Sequence, residues 1–227
     1  MIVEQLTELL KQRPARPQRL VYASDATGCE RKLTLALLGV PATDAVSRDH
    51  WLWSAEIGTA IHQQLQSLFQ QLYPDCQTEL RVEEAGILSG RIDVLARIDG
   101  KLTVIDIKTV GSREYRARTK IGQYKDQINL YGRLTGAEVG CILLVNRDTG
   151  ELDEIVFDID NERAEALLNR AAGIVALAKS GVIGRAEWFG SQYCALFCPY
   201  RTLCYDLDNT GFVGYNTPTA IEPEVFE

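Results

Sequence analysis

Three charged residues near the middle of the chain have the spacing of a hydrolytic site. Asp106 and Lys108 lie in the apolar run Val104–Val110, and Asp93 lies in the preceding run Gly90–Ile98. Because side chains alternate faces along a β-strand, Asp106 and Lys108 would point to the same side. Two carboxylates beside a lysine could bind Mg²⁺ or Mn²⁺ next to a phosphate, which is the arrangement that phosphodiester cleavage needs.

A tight turn is expected to bring these residues together. The dipeptide Asp99-Gly100 joins the two runs and predicts a type I′ hairpin, around which Asp106 would approach Asp93. The Asp-x-Lys motif is short and also fits the solvated face of an ordinary hairpin. The apolar neighbours of Asp106 favour the functional interpretation, because a carboxylate among them is costly unless it is paired or binds a metal.

The elements around this hairpin predict an α/β protein. Periodicity predicts helices over 2–12, 24–38, 51–72 and 161–180, and further strands over 77–84, 141–145 and 152–159. From residue 77 the order is β-β-β-α-β-β-α, which is typical of a mixed sheet. The apolar stripe expected of the third helix is Ile57, Ile61, Leu65, Leu68 and Leu72. His62 borders that stripe as a candidate ligand, and Glu79 is a further candidate carboxylate.

Length and composition indicate one domain with a sizeable core. The chain has 227 residues, of which 46% are hydrophobic, and no apolar run is long enough to cross a membrane. The first residues lack the basic segment and apolar core of a signal peptide, so we expect a cytoplasmic protein. Its cysteines would then be metal ligands or buried thiols more often than disulfides.

The charge distribution weakens an objection to a nucleic-acid partner. The formal net charge is −7, which disfavours binding to phosphates. Five of the 31 acidic residues and none of the 24 basic ones lie in 205–227, so residues 1–204 carry a net charge of −2. The acidic excess therefore belongs largely to the C-terminal end.

The stretch Ser112–Lys125 follows the hairpin directly and is the most basic part of the chain. Its candidate DNA-binding residues are Arg113, Arg116, Arg118, Lys120 and Tyr124. Basic and aromatic residues in this pattern fit a phosphate-binding surface with stacking partners, and a solvated helix face fits them as well. Gln127 and Tyr131 follow at i and i+4, so they share one helix face.

Three of the six cysteines lie close together near the C-terminus. Cys194, Cys198 and Cys204 fall within eleven residues, too close for a simple disulfide framework. Three ligands leave a zinc ion or an iron–sulfur cluster one ligand short, and Cys29 is the natural fourth. Spacing alone leaves a Cys₄ zinc site and a cluster both open.

Several motifs in this order resemble those of the PD-(D/E)XK nuclease superfamily over roughly residues 20–205. They are Gly58-Thr-Ala-Ile-His62, Gly90-Arg-Ile-Asp93, Asp106-Ile-Lys108, Gln127-Ile-Asn-Leu-Tyr131 and the one N-terminal and three C-terminal cysteines. Within the superfamily the chain looks most like the RecB-like iron–sulfur exonucleases. Among these it resembles the Cas exonucleases that trim DNA during CRISPR spacer acquisition.

The resemblance implies a fold and a set of roles. The fold would be a restriction-endonuclease-like mixed β-sheet flanked by helices, with an iron–sulfur subdomain joining the N- and C-terminal regions. A catalytic Mn²⁺ or Mg²⁺ would be bound by His62, Asp93, Asp106 and the carbonyl of Ile107. Lys108 would orient or activate the attacking water, and Gln127 and Tyr131 would position the DNA strand and Lys108. A [4Fe–4S] cluster would be held by Cys29, Cys194, Cys198 and Cys204.

We therefore predict a metal-dependent DNA exonuclease that acts on single-stranded ends, with CRISPR integration proteins as partners. Residues 1–204 would form one nuclease domain, with its catalytic core over 77–160 and a cluster-binding part built from the Cys29 region and 188–204. Residues 205–227 would form an acidic tail. Two alternatives stay open: a phage or plasmid recombination or repair exonuclease of the same fold, and a non-catalytic DNA-binding adaptor subunit.

Overall fold

The structure, a computed structural model, describes residues 2–12, 18–42, 44, 49–187, 194 and 197–209. Its helices are α1 (Ile2–Lys11), α2 (Glu30–Leu37), α3 (Asp49–Leu72), α4 (Ser112–Ala117), α5 (Ile121–Thr135), α6 (Asn161–Lys179) and α7 (Arg201–Asn209), and a 3₁₀ turn covers Ala23–Asp25. Its strands are β1 (Val21–Tyr22), β2 (Gln77–Glu84), β3 (Leu88–Ile98), β4 (Lys101–Val110), β5 (Val139–Asn146) and β6 (Leu152–Asp158).

The strands form one six-stranded mixed sheet. Its order is β1-β3-β4-β5-β6, and β2 pairs with the remaining edge of β3. The β1–β3 and β4–β5 pairs are parallel, and the other pairs are antiparallel. This confirms the predicted mixed sheet flanked by helices. The strand β1 was missed, because two residues are too short for a periodic pattern.

The predicted two-residue turn closes the β3–β4 hairpin. Ile98 pairs with Lys101, and the two residues between them, Asp99 and Gly100, have φ of 50° and 82°. Positive φ at both central residues defines a type I′ turn, and aspartate and glycine tolerate it better than most residues.

The strand β3 changes partner along one edge, and this opens a gap in the sheet. It pairs with β1 at Leu88 and Ser89 and with β4 from Val94 onward, while β2 follows its opposite edge. Residues 90–93 therefore lie beside neither β1 nor β4. Main-chain groups that face such a gap need other hydrogen-bond partners.

Helices α3 and α5 cover opposite faces of the sheet. Ile107 of β4 belongs to a buried cluster against which Ile61 and Leu65 of α3 pack. The preceding residue, Asp106, points the other way and accepts a hydrogen bond from Gln127 of α5. The alternation of side chains along β4 thus places Ile107 on one face and Asp106 and Lys108 on the other.

The buried stripe of α3 differs from the predicted one. Ile57, Leu68 and Leu72 are 48%, 43% and 72% exposed, although all three were expected to face the core. The α3 residues that pack on the sheet are Ile61, Leu65 and Phe69. The buried polar residue Gln66 lies on the same side of α3, so a pattern of apolar residues alone misplaces the centre of this face.

The second helix begins later than predicted. The chain forms a 3₁₀ turn over Ala23–Asp25, and α2 starts at Glu30 with Cys29 at its N-cap. Gly28 stands between the two, and glycine is disfavoured inside a helix. Cys29 therefore precedes the first helical turn, instead of lying within it.

The described residues fall into two compact units. The first comprises the described parts of Met1–Arg16, Leu20–Thr27 and Ser47–Ala172, and it contains the whole sheet. The second comprises the described parts of Pro17–Arg19, Gly28–Val46 and Gly173–Glu227. In the second unit Leu35, Val40 and Tyr200 form a small core, and Tyr200 Oη donates a hydrogen bond to the Val40 carbonyl at 3.1 Å.

The first residues of the predicted acidic tail belong to a helix. The last helix, α7, continues to Asn209, so residues 205–209 are helical. The rest of the predicted tail, 210–227, lies outside the described residues. None of the helices that the structure describes has both the length and the hydrophobicity to cross a bilayer.

Candidate active site

Asp106 is buried in β4 beside the lysine that lies two residues further along. Its Oδ2 lies 2.7 Å from Lys108 Nζ, and the side chain is 3% exposed. Burial raises the pKa of Asp106; the Lys108 ammonium opposes this change, and the Asp93 carboxylate adds to it. Among the described residues, Oδ2 has this ammonium as its ion-pair partner and accepts no hydrogen bond from any other group.

Gln127 of α5 connects the charged pair to a tyrosine one turn away. Its Nε2 donates to Asp106 Oδ1 at 3.2 Å and to Tyr131 Oη at 3.0 Å. Its Oε1 accepts from Lys108 Nζ at 3.0 Å. The reverse amide orientation would turn Nε2 towards the ammonium, so the network itself determines this assignment. Lys108 Nζ also lies 5.0 Å from the centre of the Tyr124 ring, within the range of a cation–π contact.

Tyr131 closes one side of the gap in the sheet. Its Oη accepts a hydrogen bond from the backbone N–H of Arg91 at 3.3 Å, so a side chain from α5 supplies the partner at this point. Burial raises the pKa of Tyr131 to about 12, although the hydrogen bond from Gln127 acts against this shift. The hydroxyl therefore stays protonated at neutral pH.

Asp93 bridges the same gap from the other strand. Its Oδ2 accepts a hydrogen bond from the backbone N–H of Ile107 at 2.7 Å, which ties β3 to β4 just beyond their last paired residues. Its Oδ1 lies 3.4 Å from His62 Nδ1 of α3. The structure thus places at one end of the hairpin the predicted residues His62, Asp93, Asp106, Ile107, Lys108, Tyr124, Gln127 and Tyr131.

The segment that contains this hairpin matches a known family. A sequence profile of the PD-(D/E)XK nuclease superfamily matches residues 75–205, more than half of the chain. The chain belongs to the PD-(D/E)XK nuclease superfamily. Asp93, Asp106 and Lys108 all lie in the matched segment.

Solved structures with a similar fold agree with this membership. The protein in the crystal structure of SSO0001 is 21% identical in sequence to this chain, and the two structures superpose with a TM-score of 0.59. The match covers 90% of this chain and 96% of the other. An alkaline exonuclease from Laribacter hongkongensis is 13% identical, with a TM-score of 0.54 and coverage of 72% and 90%. A phage-related exonuclease from Haemophilus somnus 129PT is 13% identical, with a TM-score of 0.51 and coverage of 71% and 94%. No protein of curated function matches the chain.

The donor atoms at this site suit a hard divalent cation. PD-(D/E)XK nucleases use divalent metals such as Mg²⁺ or Mn²⁺. The carboxylates of Asp93 and Asp106 and the imidazole of His62 provide the ligand chemistry for such an ion, and Oδ2 of Asp106 is buried beside them. No three His, Cys, Asp or Glu side chains of the described chain are yet arranged around one ion. Asp93 instead turns Oδ2 towards the backbone N–H of Ile107, and both oxygens of Asp106 face donors, Gln127 at Oδ1 and Lys108 at Oδ2.

The basic stretch after the hairpin forms α4 and the turn that follows it. Arg113, Arg116, Arg118 and Lys120 are all exposed there, as a phosphate-binding surface requires. Arg118 differs from the others in two respects: it has a φ of 52° at the C-cap of α4, and it forms an ion pair with Asp153 of β6.

Buried and turn residues at the end of β5 hold the start of α4. Asn146 Oδ1 accepts hydrogen bonds from Ser112 Oγ and the Asp148 backbone N–H, both at 3.1 Å. Asp148 Oδ2 accepts from the backbone N–H of Ser112 at 2.7 Å. These bonds to Ser112 lower the pKa of Asp148. The turn that follows β5 therefore also positions the basic helix, which the sequence pattern did not indicate.

The four predicted cluster ligands all lie in the second compact unit. Burial raises the pKa of Cys198, and the thiols of Cys194, Cys204 and Cys29 add to this shift, so the four lie within electrostatic range of one another. Arg31 Nη1 donates a hydrogen bond to Cys204 Sγ at 3.3 Å. Within the described residues no three of these thiols surround a single ion. Within the predicted cluster-binding segment 188–204, residues 188–193, 195 and 196 lie outside the described residues.

Two residues of the site escaped sequence reasoning. Gln66 of α3 is buried and donates to the Asp93 carbonyl, but a glutamine beside an apolar stripe carries little signal of its own. Gly90 lies against Tyr131, and its place inside a strand was a usable clue, because glycine there often marks a close approach of another group.

Proposed function

We propose that the protein is a metal-dependent DNA exonuclease that acts on single-stranded ends. The observation that carries the proposal is the ammonium of Lys108, which is held between the buried carboxylate of Asp106 and the amide of Gln127. The chain that contains this arrangement belongs to the PD-(D/E)XK superfamily. The two neighbouring structures named as exonucleases support exonucleolytic cleavage among the activities of this fold.

The metal site would be formed by His62, Asp93, Asp106 and the carbonyl of Ile107. A divalent cation bound there supplies a Lewis acid for the scissile phosphate and lowers the pKa of a water molecule. The backbone N–H of Ile107 already holds Asp93, so one residue of β4 would both orient this carboxylate and offer its own carbonyl.

The remaining side chains position the reacting groups. Lys108 would orient the attacking water and stabilise negative charge on the phosphate, because its ammonium is fixed in advance by Asp106, Gln127 and the Tyr124 ring. Tyr131 accepts two hydrogen bonds through Oη, so its own proton is available to a phosphate oxygen. Arg113, Arg116 and Lys120, joined by Arg118, would bind the backbone of the DNA strand.

The four cysteines would hold a [4Fe–4S] cluster with a structural role. Cys29, Cys194, Cys198 and Cys204 provide the thiolate set that a cluster or a zinc ion requires. Iron and zinc analysis after anaerobic purification decides between them: stoichiometric iron with broad visible absorption is expected, and stoichiometric zinc without iron would reject the cluster.

We propose a role in CRISPR spacer acquisition, in the cytoplasm and together with CRISPR integration proteins, on the basis of the motif set alone. A recombination exonuclease of a phage or plasmid is the second candidate, favoured by the similarity to a phage-related exonuclease. The two have the same chemistry, and co-purification of the tagged protein with integration proteins, or with a phage recombination partner, distinguishes them.

The decisive assay uses end-labelled linear DNA and circular single-stranded DNA with Mn²⁺. We expect linear single strands to be shortened from an end, circular strands to resist, and EDTA to stop the reaction. Equal cleavage of circular strands would replace the exonuclease with an endonuclease. DNA binding without cleavage in any divalent metal would instead indicate an adaptor subunit.

A further inference from the structure

Glu79 has a backbone conformation that glutamate rarely adopts inside a strand. Its φ is +55°, in the left-handed region where a residue with a Cβ is strained. The other non-glycine residues with positive φ in the described chain, Asp99 and Arg118, lie at a hairpin turn and a helix C-cap. Strain of this kind persists where the surrounding structure imposes it, and it is concentrated at functional sites.

The strained residue lies opposite Asp93 in the sheet. Thr78 pairs with Val94 and Leu80 pairs with Ile92, so the regular register would pair Glu79 with Asp93, but this pair is missing. The sheet is thus interrupted on both sides of Asp93: by the gap towards β4 and by the left-handed residue on β2.

A buried amide from α3 occupies this interruption. Gln66 is 7% exposed, and its Nε2 donates to Glu79 Oε1 at 2.6 Å and to the Asp93 carbonyl at 3.2 Å. Glu79 Oε2 pairs with Arg91 Nε at 2.7 Å. The left-handed conformation of Glu79 places its carboxylate next to α3, where it accepts a hydrogen bond from Gln66. The same amide of Gln66 also donates to the main-chain carbonyl of Asp93.

Helix α3 therefore contacts both the side-chain carboxylate and the main-chain carbonyl of Asp93. His62 lies 3.4 Å from the carboxylate of Asp93, and Gln66, one helical turn later, binds its carbonyl. We propose that Gln66 and Glu79 are positioning residues that fix Asp93 for metal binding, and that the strain at Glu79 is retained for this purpose. The inference rests on the proposed metal-dependent nuclease function.

A purely structural role predicts a different residue at this position. The side chain of Glu79 is 41% exposed, so burial of its carbon atoms contributes little to the core. Glycine adopts positive φ without strain and would suit the backbone better. A glutamate is useful there only if its carboxylate acts on Gln66 and Arg91.

Four variants of the full-length protein test this proposal, with Mn²⁺ alone as the probe. Glu79→Gly relieves the strain and removes the carboxylate, Glu79→Gln keeps an acceptor for Gln66, and Gln66→Leu removes the amide. The matched control is Glu83→Gly on the same strand, whose carboxylate pairs with Arg81 at the surface. Mn²⁺ affinity is measured by electron paramagnetic resonance, and stability by thermal unfolding in EDTA.

We expect stability and metal affinity to change independently. Glu79→Gly should keep the parent's midpoint of unfolding or raise it, while its Mn²⁺ affinity falls about tenfold, the usual effect of losing a partner of a metal ligand. Gln66→Leu should lose affinity similarly, and Glu79→Gln should retain most of it. Glu83→Gly should show the reverse pattern, a lower midpoint of unfolding with parental affinity, because glycine weakens an ordinary strand position.

The possible outcomes distinguish a failure of the positioning role from a failure of the proposed nuclease function. If the parent binds Mn²⁺ and degrades DNA but Glu79→Gly binds Mn²⁺ equally well, the positioning role is wrong and the nuclease proposal stands. If Glu79→Gly loses affinity only in proportion to a lower unfolding midpoint, Glu79 is structural and the inference is overturned. If the parent neither binds Mn²⁺ nor cleaves DNA, both proposals fail.

Discussion

Gly90 and Tyr131 are in such close contact that no other residue fits at position 90. A Cβ built on Gly90 would lie 2.4 Å from Cε1 of the tyrosine ring and 2.9 Å from its Oη. The same Oη binds the backbone N–H of Arg91 and the amide of Gln127. The missing side chain of one residue therefore determines where the hydroxyl of the other lies, and through Gln127 it affects Lys108.

Gly90→Ala should consequently impair cleavage without any change to a charged residue. The ring of Tyr131 must move, which breaks its bonds to Arg91 and Gln127, and overpacking of this kind destabilises by about 1–3 kcal/mol. We expect at least a tenfold loss of single-turnover cleavage, and urea unfolding measures the loss of stability. Gly173→Ala in α6, where a Cβ meets nothing within 4 Å, is the control and should gain up to about 1 kcal/mol. Parental cleavage in Gly90→Ala would show that the site tolerates a displaced tyrosine.

Lys108→Ala should abolish cleavage and leave DNA binding nearly intact. The ammonium is one positive charge among several near the DNA, but it alone is fixed between Asp106 and Gln127. We expect a loss of more than about 100-fold in single-turnover rate at saturating DNA. Lys125→Ala on α5, whose ammonium lies over the Phe157 ring, serves as the lysine control and should keep its activity. Equal losses of binding and cleavage in Lys108→Ala would contradict the assigned role.

Asp106→Asn should separate stability from function. Burial and the nearby Asp93 carboxylate disfavour the charged form of Asp106 in the metal-free protein, so a neutral amide of the same shape relieves this repulsion. In EDTA we expect a melting temperature equal to or above that of the parent. Added Mn²⁺ should stabilise the parent and not the variant, and cleavage should disappear. A variant that cleaves DNA like the parent would place the site elsewhere.

The features that could be predicted from the sequence are those that depend on residues close together in the chain. The hairpin turn at Asp99-Gly100 and the alternation of Asp106, Ile107 and Lys108 depend on neighbours in the chain, and both were predicted with their register. Gln127 and Tyr131 were predicted to share a face because helix periodicity is also local.

The features that sequence reasoning missed depend on distant parts of the chain. The gap beside residues 90–93 arises where β1 and β4 share one edge of β3, which no local pattern shows. The bond from Gln66 to Asp93 and the left-handed Glu79 are consequences of that topology. The buried face of α3 differs from the predicted stripe for a related reason. It includes the polar side chain of Gln66, whose partner Asp93 lies far away in the sequence.

Asp148→Asn should remove a contribution to stability that depends on pH in a defined direction. Hydrogen bonds from Ser112 lower the pKa of Asp148 in the folded state, so the carboxylate stabilises the fold above its unfolded pKa of about 3.8. That contribution is lost as the pH falls through the lower, folded value. The difference in unfolding free energy between parent and variant should therefore be constant above about pH 5 and shrink below pH 4. Urea unfolding from pH 3 to pH 7 measures it, and a difference that grows on acidification would contradict the linkage.

The basic surface after the hairpin should bind DNA through only part of its charge. Arg118 already pairs with Asp153, whereas Arg113, Arg116 and Lys120 extend from α4 and its turn into solvent. Replacing these three by glutamine should weaken binding to single-stranded DNA and reduce the slope of log K against log salt by up to about 2, since each phosphate contact contributes about 0.7. Turnover at saturating DNA should change much less, because the reacting groups are untouched. Arg118→Gln serves as the comparison and should reduce the slope much less, because its charge is already paired with Asp153. If the triple variant binds with an unchanged slope, or if Arg118→Gln alone reproduces its effect, the DNA strand does not follow this surface as proposed.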